Sequence, residues 1–276
     1  LIIMTNDFPQ ALTIAGTDSG GGAGISADFK TIQMRGVFAT MVVVAVTAQN
    51  TLGVQDALAM PPKLIDEQFS SLAADFKIRA CKTGMLADPL RVKTVVNNLK
   101  RYDFGPLTVD PVMIAKGGAK LLSDDAISVV REQLLPLADL ITPNLPEAEE
   151  LAQMQITTEA EMEAAGQRLQ SMGAKNVLVK GGHFSSDDEA NDFVLLADGH
   201  SFWMTAKRKQ TRNTHGTGDT ISSCITAELA KGKSMEDALK IGKAYVEATI
   251  KQGINVGHGH GPLNHWAKIR SDNNEL

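Results

Sequence analysis

Met41-Val42-Val43-Val44-Ala45-Val46-Thr47-Ala48 is the stretch on which the fold turns. A run of apolar, mostly β-branched residues without polar alternation is the pattern of a strand buried on both faces of a parallel sheet. It ends in the polar Gln49-Asn50-Thr51, and in open α/β sheets ligands bind at the carboxyl ends of the strands. Upstream, Ala11 to Ala15 reads as a short buried strand, broken by Gly16-Thr17-Asp18-Ser19 and the run Gly20-Gly21-Gly22-Ala23-Gly24. Ile25 to Arg35 has helical spacing through Ile25, Phe29 and Ile32, with Gly36 at its end. Asp28 and Lys30 are expected on the polar face of that helix. Downstream, helices are expected from Pro62 to Phe76, Pro89 to Leu99, Asp124 to Leu135, Glu159 to Met172 and onward from Ser234. Strands are expected at Ala80–Thr83, Leu107–Val109, Leu140–Thr142 and Val177–Lys180. Val194–Ala197 and Ser201–Thr205 flank Asp198-Gly199 and read as an antiparallel hairpin. Strand and helix alternate with no linker or composition break. The expectation is a single domain over residues 1–276, ordered from about 11 to 270. It is a doubly wound, mainly parallel α/β sheet flanked by helices, with a short antiparallel piece.

Composition narrows the classes. A chain of 276 residues that is 43% hydrophobic can bury a large core. The net charge of -5 and a single basic cluster, Lys207-Arg208-Lys209, argue against nucleic acid as partner. Cys81 and Cys224 are the only cysteines, which suits a reducing cytoplasm better than a disulfide framework. No apolar run is long enough to span a bilayer. Leu1-Ile2-Ile3 lacks a basic region and a long apolar one, so a signal peptide is not expected and Met4 is the expected start.

The chemistry gathers around Thr214-His215-Gly216-Thr217-Gly218-Asp219-Thr220, which precedes the apolar-periodic run Ile221 to Lys231. Two glycines flanking a threonine before a helix can turn successive N–H groups into one concavity. A helix N-terminus there carries unpaired donors and about +0.5 of a charge. Asp219 at the rim of such an anion hole suits phosphoryl transfer to a hydroxyl. The same residues also fit a plain capped helix. The glycine run at 20–24 matches neither G-x-G-x-x-G nor G-x-x-x-x-G-K-[ST], so it is read as letting a substrate ring approach the backbone. Gln49, Met85, Asp110, Thr142, Asn144, Glu147, Lys180 and Asp219 all follow expected strands or open expected helices. Parallel strands would bring them to one edge. There Asp110 and Glu147 can hold Mg²⁺, directly or through water, and Asn144 and Lys180 can meet phosphate oxygens. Helix capping for Asn144 and Glu147, and a surface charge for Lys180, are the alternatives for each residue taken alone.

Leu12-Thr13-Ile14-Ala15-Gly16, Ala27-Asp28-Phe29-Lys30, Ala48-Gln49-Asn50-Thr51, Lys82-Thr83-Gly84-Met85, Asp110-Pro111-Val112-Met113, Thr142 to Ala148, Lys180-Gly181-Gly182-His183 and Thr214 to Gly218 occur in this order along nearly the whole chain. The set resembles the hydroxymethylpyrimidine/phosphomethylpyrimidine kinases of thiamine biosynthesis, within the ribokinase-like superfamily. That resemblance implies a ribokinase-like fold, ATP, Mg²⁺, a homodimer, and phosphorylation first of a hydroxymethyl group and then of the monophosphate. By matching motif it assigns Gly16, Asp28, Gln49, Met85 and Val112 to the pyrimidine pocket. Asp110 and Glu147 fall to the metal, and Asn144, Lys180, Thr214 and His215 to the nucleotide. Gly216, Thr217 and Gly218 form the anion hole. One departure stands out: the family usually has Cys where this chain has Asp219. A related pyridoxal kinase branch carries Cys there and in the loop after Asp-Pro-Val-Met, where this chain has Ala115. A cysteine-dependent pyridoxal mechanism is therefore not expected, whereas a carboxylate-dependent one stays open. A non-catalytic nucleotide-binding regulator is the alternative from another class, and the presence of Asp110, Glu147 and Asp219 argues against it.

His258, His260 and His265 lie in a glycine-rich tail whose spacing fits no zinc pattern, so a pocket wall or surface loop is expected there. Cys81 and Cys224 are expected in the core. The loop from Ala115 to Lys120 is expected to be mobile and Ser271 to Leu276 to be disordered.

Overall fold

The structure is a computed structural model that describes residues 6–113, 121–182, 189–207, 209 and 211–269. The Ala115–Lys120 loop, His183 and the Ser271–Leu276 tail lie outside these described residues. Nine strands form one sheet: β1 (Gln10–Gly16), β2 (Phe38–Asn50), β3 (Gly53–Ala59), β4 (Ala80–Thr83), β5 (Leu107–Val109), β6 (Leu140–Ile141), β7 (Asn176–Val179), β8 (Glu189–Leu195) and β9 (Ser201–Lys207). Their order across the sheet is β3-β2-β1-β4-β5-β6-β7-β8-β9. From β2 through β7 every pairing is parallel. The expected hairpin is β8–β9, antiparallel to each other and to β7. A second antiparallel piece was not expected: β3 pairs with the distal half of β2, from Ala45–Ala59 to Asn50–Gly53.

That pairing corrects the reading of Met41–Ala48. The strand is buried on both faces only in part: Met41 and Val46 are exposed, and from Ala45 onward the strand pairs with β3, most of which is exposed. The run carries apolar residues at covered and exposed positions alike, so its sequence does not distinguish them.

Helices α1 (Gly24–Met34), α7 (Thr217–Ala230) and α8 (Met235–Lys251) pack together, and α1 and α7 lie against the first strands. On the other side lie α2 (Pro62–Asp75), α3 (Pro89–Arg101), α4 (Asp124–Val129), α5 (Leu145–Ala152) and α6 (Glu159–Ser171). After α4 the chain widens into a π-turn at Val130–Leu134 and tightens into a 3-10 turn at Leu135–Leu137, where Pro136 lacks the N–H to continue a helix. Side chains alternate across a strand, and this parity sorts the core. Leu12, Ile14, Cys81 and Val109 join Phe69, Val92, Val95 and Ile127 in the largest apolar cluster. The opposite parity puts Ala11 and Ala80 with Ile32 and Ala227, under α1 and α7. Thr13 and Lys82 share that second parity and are direct register partners in β1 and β4. Cys81 and Cys224 are buried free thiols, and burial pushes Cys224 up to about 12, which makes both core residues.

Core position decides cost. Ile14→Ala, in a fully buried site, should lose about 2–5 kcal/mol. Leu90→Ala, at an exposed position of α3, should change stability by less than about 0.5 kcal/mol. Urea denaturation of the two variants checks the contrast.

Candidate active site

The parallel strands deliver their ends to one edge. The chain leaving β5 is held to β4 by Asp110 N–H donating to Thr83 O, and Thr142 N–H donates to Val109 O. Lys180 N–H donates to Pro143 O, and Asn144 and Lys180 form an isolated parallel bridge. Backbone pairing thus brings Asp110, Thr142, Asn144 and Lys180 side by side. Lys180 Nζ stands 3.3 Å from Asp110 Oδ1, and Thr142 Oγ1 and Ser222 Oγ each lie 3.4 Å from the same carboxylate.

Asn144 caps α5 in a reciprocal capping box: its side chain accepts from Glu147 N–H, and Glu147 Oε2 accepts from Asn144 N–H at 2.9 Å. Capping is therefore real for both residues, but it engages only the carbonyl oxygen of the Asn144 amide. Glu147 is 3% exposed. Burial pushes its carboxyl up, Asp110 adds to the rise and Lys180 opposes it, leaving it at about 7. Burial would lower the Lys180 ammonium, yet Asp110 and Glu147 outweigh this and hold it above its ordinary value. Two carboxylates repelling each other in a shielded corner form an oxygen donor set that a divalent cation relieves. Among the described residues no group of three His, Cys, Asp or Glu side chains forms a metal cage. The arrangement matches Mg²⁺, which uses one or two carboxylates and keeps water and phosphate for the rest.

Gly216 is the N-cap residue just before α7, and its φ of +80° and close approach to Gly22 O leave no room for a side chain. Among the described residues no side chain caps this end. The first-turn N–H groups have no partner within the helix. Asp219 lies in that first turn and not at the cap, which removes the N-cap reading of this residue. A Cβ on Gly218 would meet Lys180 Nζ at 3.2 Å and Asp110 Oδ2 at 3.4 Å, so the anion hole opens directly onto the Lys180–Asp110 pair. Thr217 Oγ1 donates to Thr214 O at 2.7 Å, which binds the entry of the helix to itself.

On the other flank, Gly16 N–H donates to Met85 O, and a Cβ on Gly16 would come within 2.5 Å of Met85 Cε. Gln49, at the end of β2, holds its side-chain nitrogen 3.5 Å from His215 Nε2. His215 was expected among the nucleotide residues, but its ring pairs with Asp18 Oδ2 at 3.1 Å and faces Gln49. Asp18 also accepts from the N–H groups of Gly20, Gly22 and Ala23. Burial would raise its carboxyl, but His215 and these donors hold it below the usual range. The Gly20–Gly24 loop is thus wound around a carboxylate. Val112 is half-buried beside the exit from β5, its N–H on Asp110 O.

Asp28 departs most from expectation. It has no accessible surface, so the polar-face reading is wrong. Its carboxylate accepts from Thr13 Oγ1 at 2.6 Å and from Lys82 Nζ at 2.7 Å. Ile25, Asp28 and Ile32 are spaced by three and four residues and share the buried face. Lys82, equally buried, also lies 3.9 Å from Asp219 Oδ1. Sequence reasoning passed over it, although a lysine inside the four-residue buried strand Ala80–Thr83 is itself a signal. His258 and His260 are exposed on a loop tied to Thr51 through the N–H groups of Gly259 and His260. His265 is buried against Thr220 Oγ1, and burial pushes it down to about 4.

A mainly parallel sheet with a helix end that no side chain caps among the described residues, a carboxylate in its first turn, and a lysine with two carboxylates at the strand ends is an arrangement that suits a small-molecule kinase of the ribokinase-like class. The phosphomethylpyrimidine kinase family matches residues 18–264. A hydroxymethylpyrimidine/phosphomethylpyrimidine kinase of Haemophilus influenzae is 52% identical over 96% of this chain and 99% of its own length. Among solved structures, the phosphomethylpyrimidine kinase of Clostridium difficile is 38% identical with a TM-score of 0.78, covering 87% of this chain and 99% of that one. An ADP complex of Bacillus subtilis pyridoxal kinase reaches a TM-score of 0.86 at 31% identity, covering 95% of this chain and 98% of that one. The chain belongs to the phosphomethylpyrimidine kinase family and is a phosphotransferase.

Glu147 gives a pH signature. Its carboxyl is raised in the folded state, so its contribution to stability is complete below about 4.5 and is lost as pH rises through about 7. Glu147→Gln keeps a capping-box side chain and removes that loss. The variant should gain about 1–3 kcal/mol relative to wild type at pH 8 over its standing at pH 4. Thermal melts across that range, without divalent cations, measure it.

Proposed function

We propose that the chain transfers the γ-phosphoryl group of ATP to the hydroxymethyl group of 4-amino-5-hydroxymethyl-2-methylpyrimidine, and then phosphorylates the resulting monophosphate. The position of Asp219 carries this reading: a carboxylate with 14% side-chain exposure in the open first turn of α7. The substrate O–H oxygen attacks γ-phosphorus, the bond from phosphorus to the bridging oxygen of ADP breaks, and Asp219 takes the hydroxyl proton. N–H groups of Gly216, Thr217 and Gly218 receive the charge of the transferring group. Lys180 and the Asn144 amide orient the nucleotide phosphates. Mg²⁺, held through Asp110 and Glu147, supplies charge neutralisation of the phosphates when bound. Gln49 pairs with the ring nitrogen and amino group, and Gly16, Met85 and Val112 form the walls.

Pyridoxal kinase activity is the second reading, supported by the likeness to pyridoxal kinase structures. Gln49, at the mouth beside His215, favours an aminopyrimidine, whose donor and acceptor edge matches an amide. Gln49 is half-buried, and once the ring covers it, losing such a partner costs about 1–3 kcal/mol. A non-catalytic regulator would leave the Lys180–Asp110 pair and the first-turn carboxylate of Asp219 without purpose. The chain acts as one catalytic domain in the cytoplasm, where free buried cysteines are at home; no helix among the described residues is long and apolar enough to cross a membrane. A homodimer is further supported by β3. The exposed cross-strand pair Val46–Leu58, with Leu52 and Val54, makes an apolar sheet edge that a second copy can cover symmetrically. Leu58→Lys should then lower the mass seen by sedimentation.

An ADP-release assay tests the substrate: kcat/KM for the hydroxymethylpyrimidine should exceed that for pyridoxal, and equality or reversal refutes the assignment. Asp219→Asn keeps volume and should lower kcat by about 10²–10⁴ with ATP affinity and Tm nearly unchanged. Turnover within a few-fold of wild type would place the base elsewhere.

A further inference from the structure

We infer that Asp28 and Lys82 together form a positioning device for Asp219, in which Asp28 holds the Lys82 ammonium back so that Asp219 stays free to receive the substrate hydroxyl. The inference rests on the reading of Asp219 as the proton acceptor. Its basis is an asymmetry of distances. Lys82 Nζ is 2.7 Å from Asp28 Oδ1 and 3.9 Å from Asp219 Oδ1. One cation therefore stands between two carboxylates and is hydrogen-bonded to only one of them.

Each member is placed by a different element. Thr13 and Lys82 are neighbours in β1 and β4 on the sheet face that α1 and α7 cover. Thr13 Oγ1 donates to Asp28 Oδ2, which leaves Oδ1 for Lys82. Gly84 roofs the gap: a Cβ there would lie 3.7 Å from Lys82 Nζ, 3.9 Å from Asp219 Oδ1 and 3.1 Å from Ala15 Cβ. Asp28 and Lys82 have no accessible surface, while Asp219 alone reaches the opening. Burial would lower the Lys82 ammonium, but Asp28 and Asp219 outweigh it and keep the charge in place.

A lysine side chain has flexible reach. Without the Asp28 charge, Asp219 is the anion that Lys82 already approaches most closely, and the ammonium would close on it. A carboxylate locked in such an ion pair is turned from the substrate and is a poorer proton acceptor. Asp28 thus governs turnover without touching the pyrimidine, in contrast to a residue that lines the pocket.

Steady-state kinetics of the full chain with hydroxymethylpyrimidine and ATP separate these roles. Asp28→Asn should lower kcat about tenfold or more while KM for the pyrimidine stays within about twofold. Adding Lys82→Met to that variant removes the intruding ammonium and should restore kcat by about threefold or more, a coupling opposite in sign to accumulated damage. A rise in KM at unchanged kcat for Asp28→Asn would make Asp28 a substrate contact and overturn the inference. So would a double variant no faster than Asp28→Asn. Thr13→Val, which only loosens the Asp28 anchor, covers the case in which Asp28→Asn does not fold. It should lower kcat about two- to fivefold at constant KM, and an unchanged kcat overturns the inference. Asp219→Asn serves as the control: if it turns over normally, the proton-acceptor reading fails, whereas a slow Asp219→Asn with no rescue in the double variant defeats this inference alone.

Discussion

An ammonium with no contact with solvent is the constraint around which this molecule is arranged. Lys82 stands near the centre of the sheet, under two helices, and it is tolerable there only because Asp28 lies at 2.7 Å and Asp219 at 3.9 Å from its ammonium. Removing one member of a buried ion pair typically costs about 3–5 kcal/mol, whereas replacing the whole pair with apolar groups is often neutral or stabilising. A core of Ile, Val and Ala would therefore hold these layers together without it. The cation links the strand layer, α1 and the first turn of α7, where Asp219, the proposed proton acceptor, is presented.

The same logic of like charges under restraint recurs on the other side of the α7 N-terminus. Asp110 and Glu147 are both almost fully buried, and among the described residues Lys180 is the lysine paired directly with this site, through Asp110. Burial, with Asp110 beside it, raises the carboxyl of Glu147. In the proposed reading, polyphosphate brings further negative charge and a divalent cation enters with it. Between the two lysine-centred clusters lies a helix end that no side chain caps among the described residues, and its glycines leave the backbone open to the proposed transferring group. Electrostatic preorganisation of this kind acts without reorganisation during the reaction.

Much of this order is written locally in the chain. Ala80–Thr83 and Leu107–Val109 are strands with the expected limits, because apolar runs there are bounded by charged residues, Gly and Pro. The strand-end positions of Asp110, Asn144 and Lys180 followed from parallel topology alone. Strand β3 could not be found the same way: Gly53–Ala59 is exposed along its length and so has no burial to imprint a period. Asp28 was misread because its charge was given more weight than its spacing to Ile25 and Ile32. Lys82 was quoted within a motif but given no role, because its partner comes from a helix 54 residues away in sequence. His215 was set with the nucleotide residues because it adjoins the anion hole in sequence, while its ring turns toward Asp18 and Gln49. Residue type and position along the chain locate an active edge; the direction in which a side chain leaves the backbone decides which half of it is served.

The central claim is that Asp219, and no other side chain, meets the reacting hydroxyl. A crystal structure of the protein with a non-hydrolysable ATP analogue and hydroxymethylpyrimidine tests it most directly. The account predicts the hydroxymethyl oxygen within about 2.6–3.2 Å of an Asp219 carboxylate oxygen, the terminal phosphate on the N–H groups of Gly216 to Gly218, and Lys82 still on Asp28. A hydroxymethyl group directed away from Asp219 toward another base would contradict it.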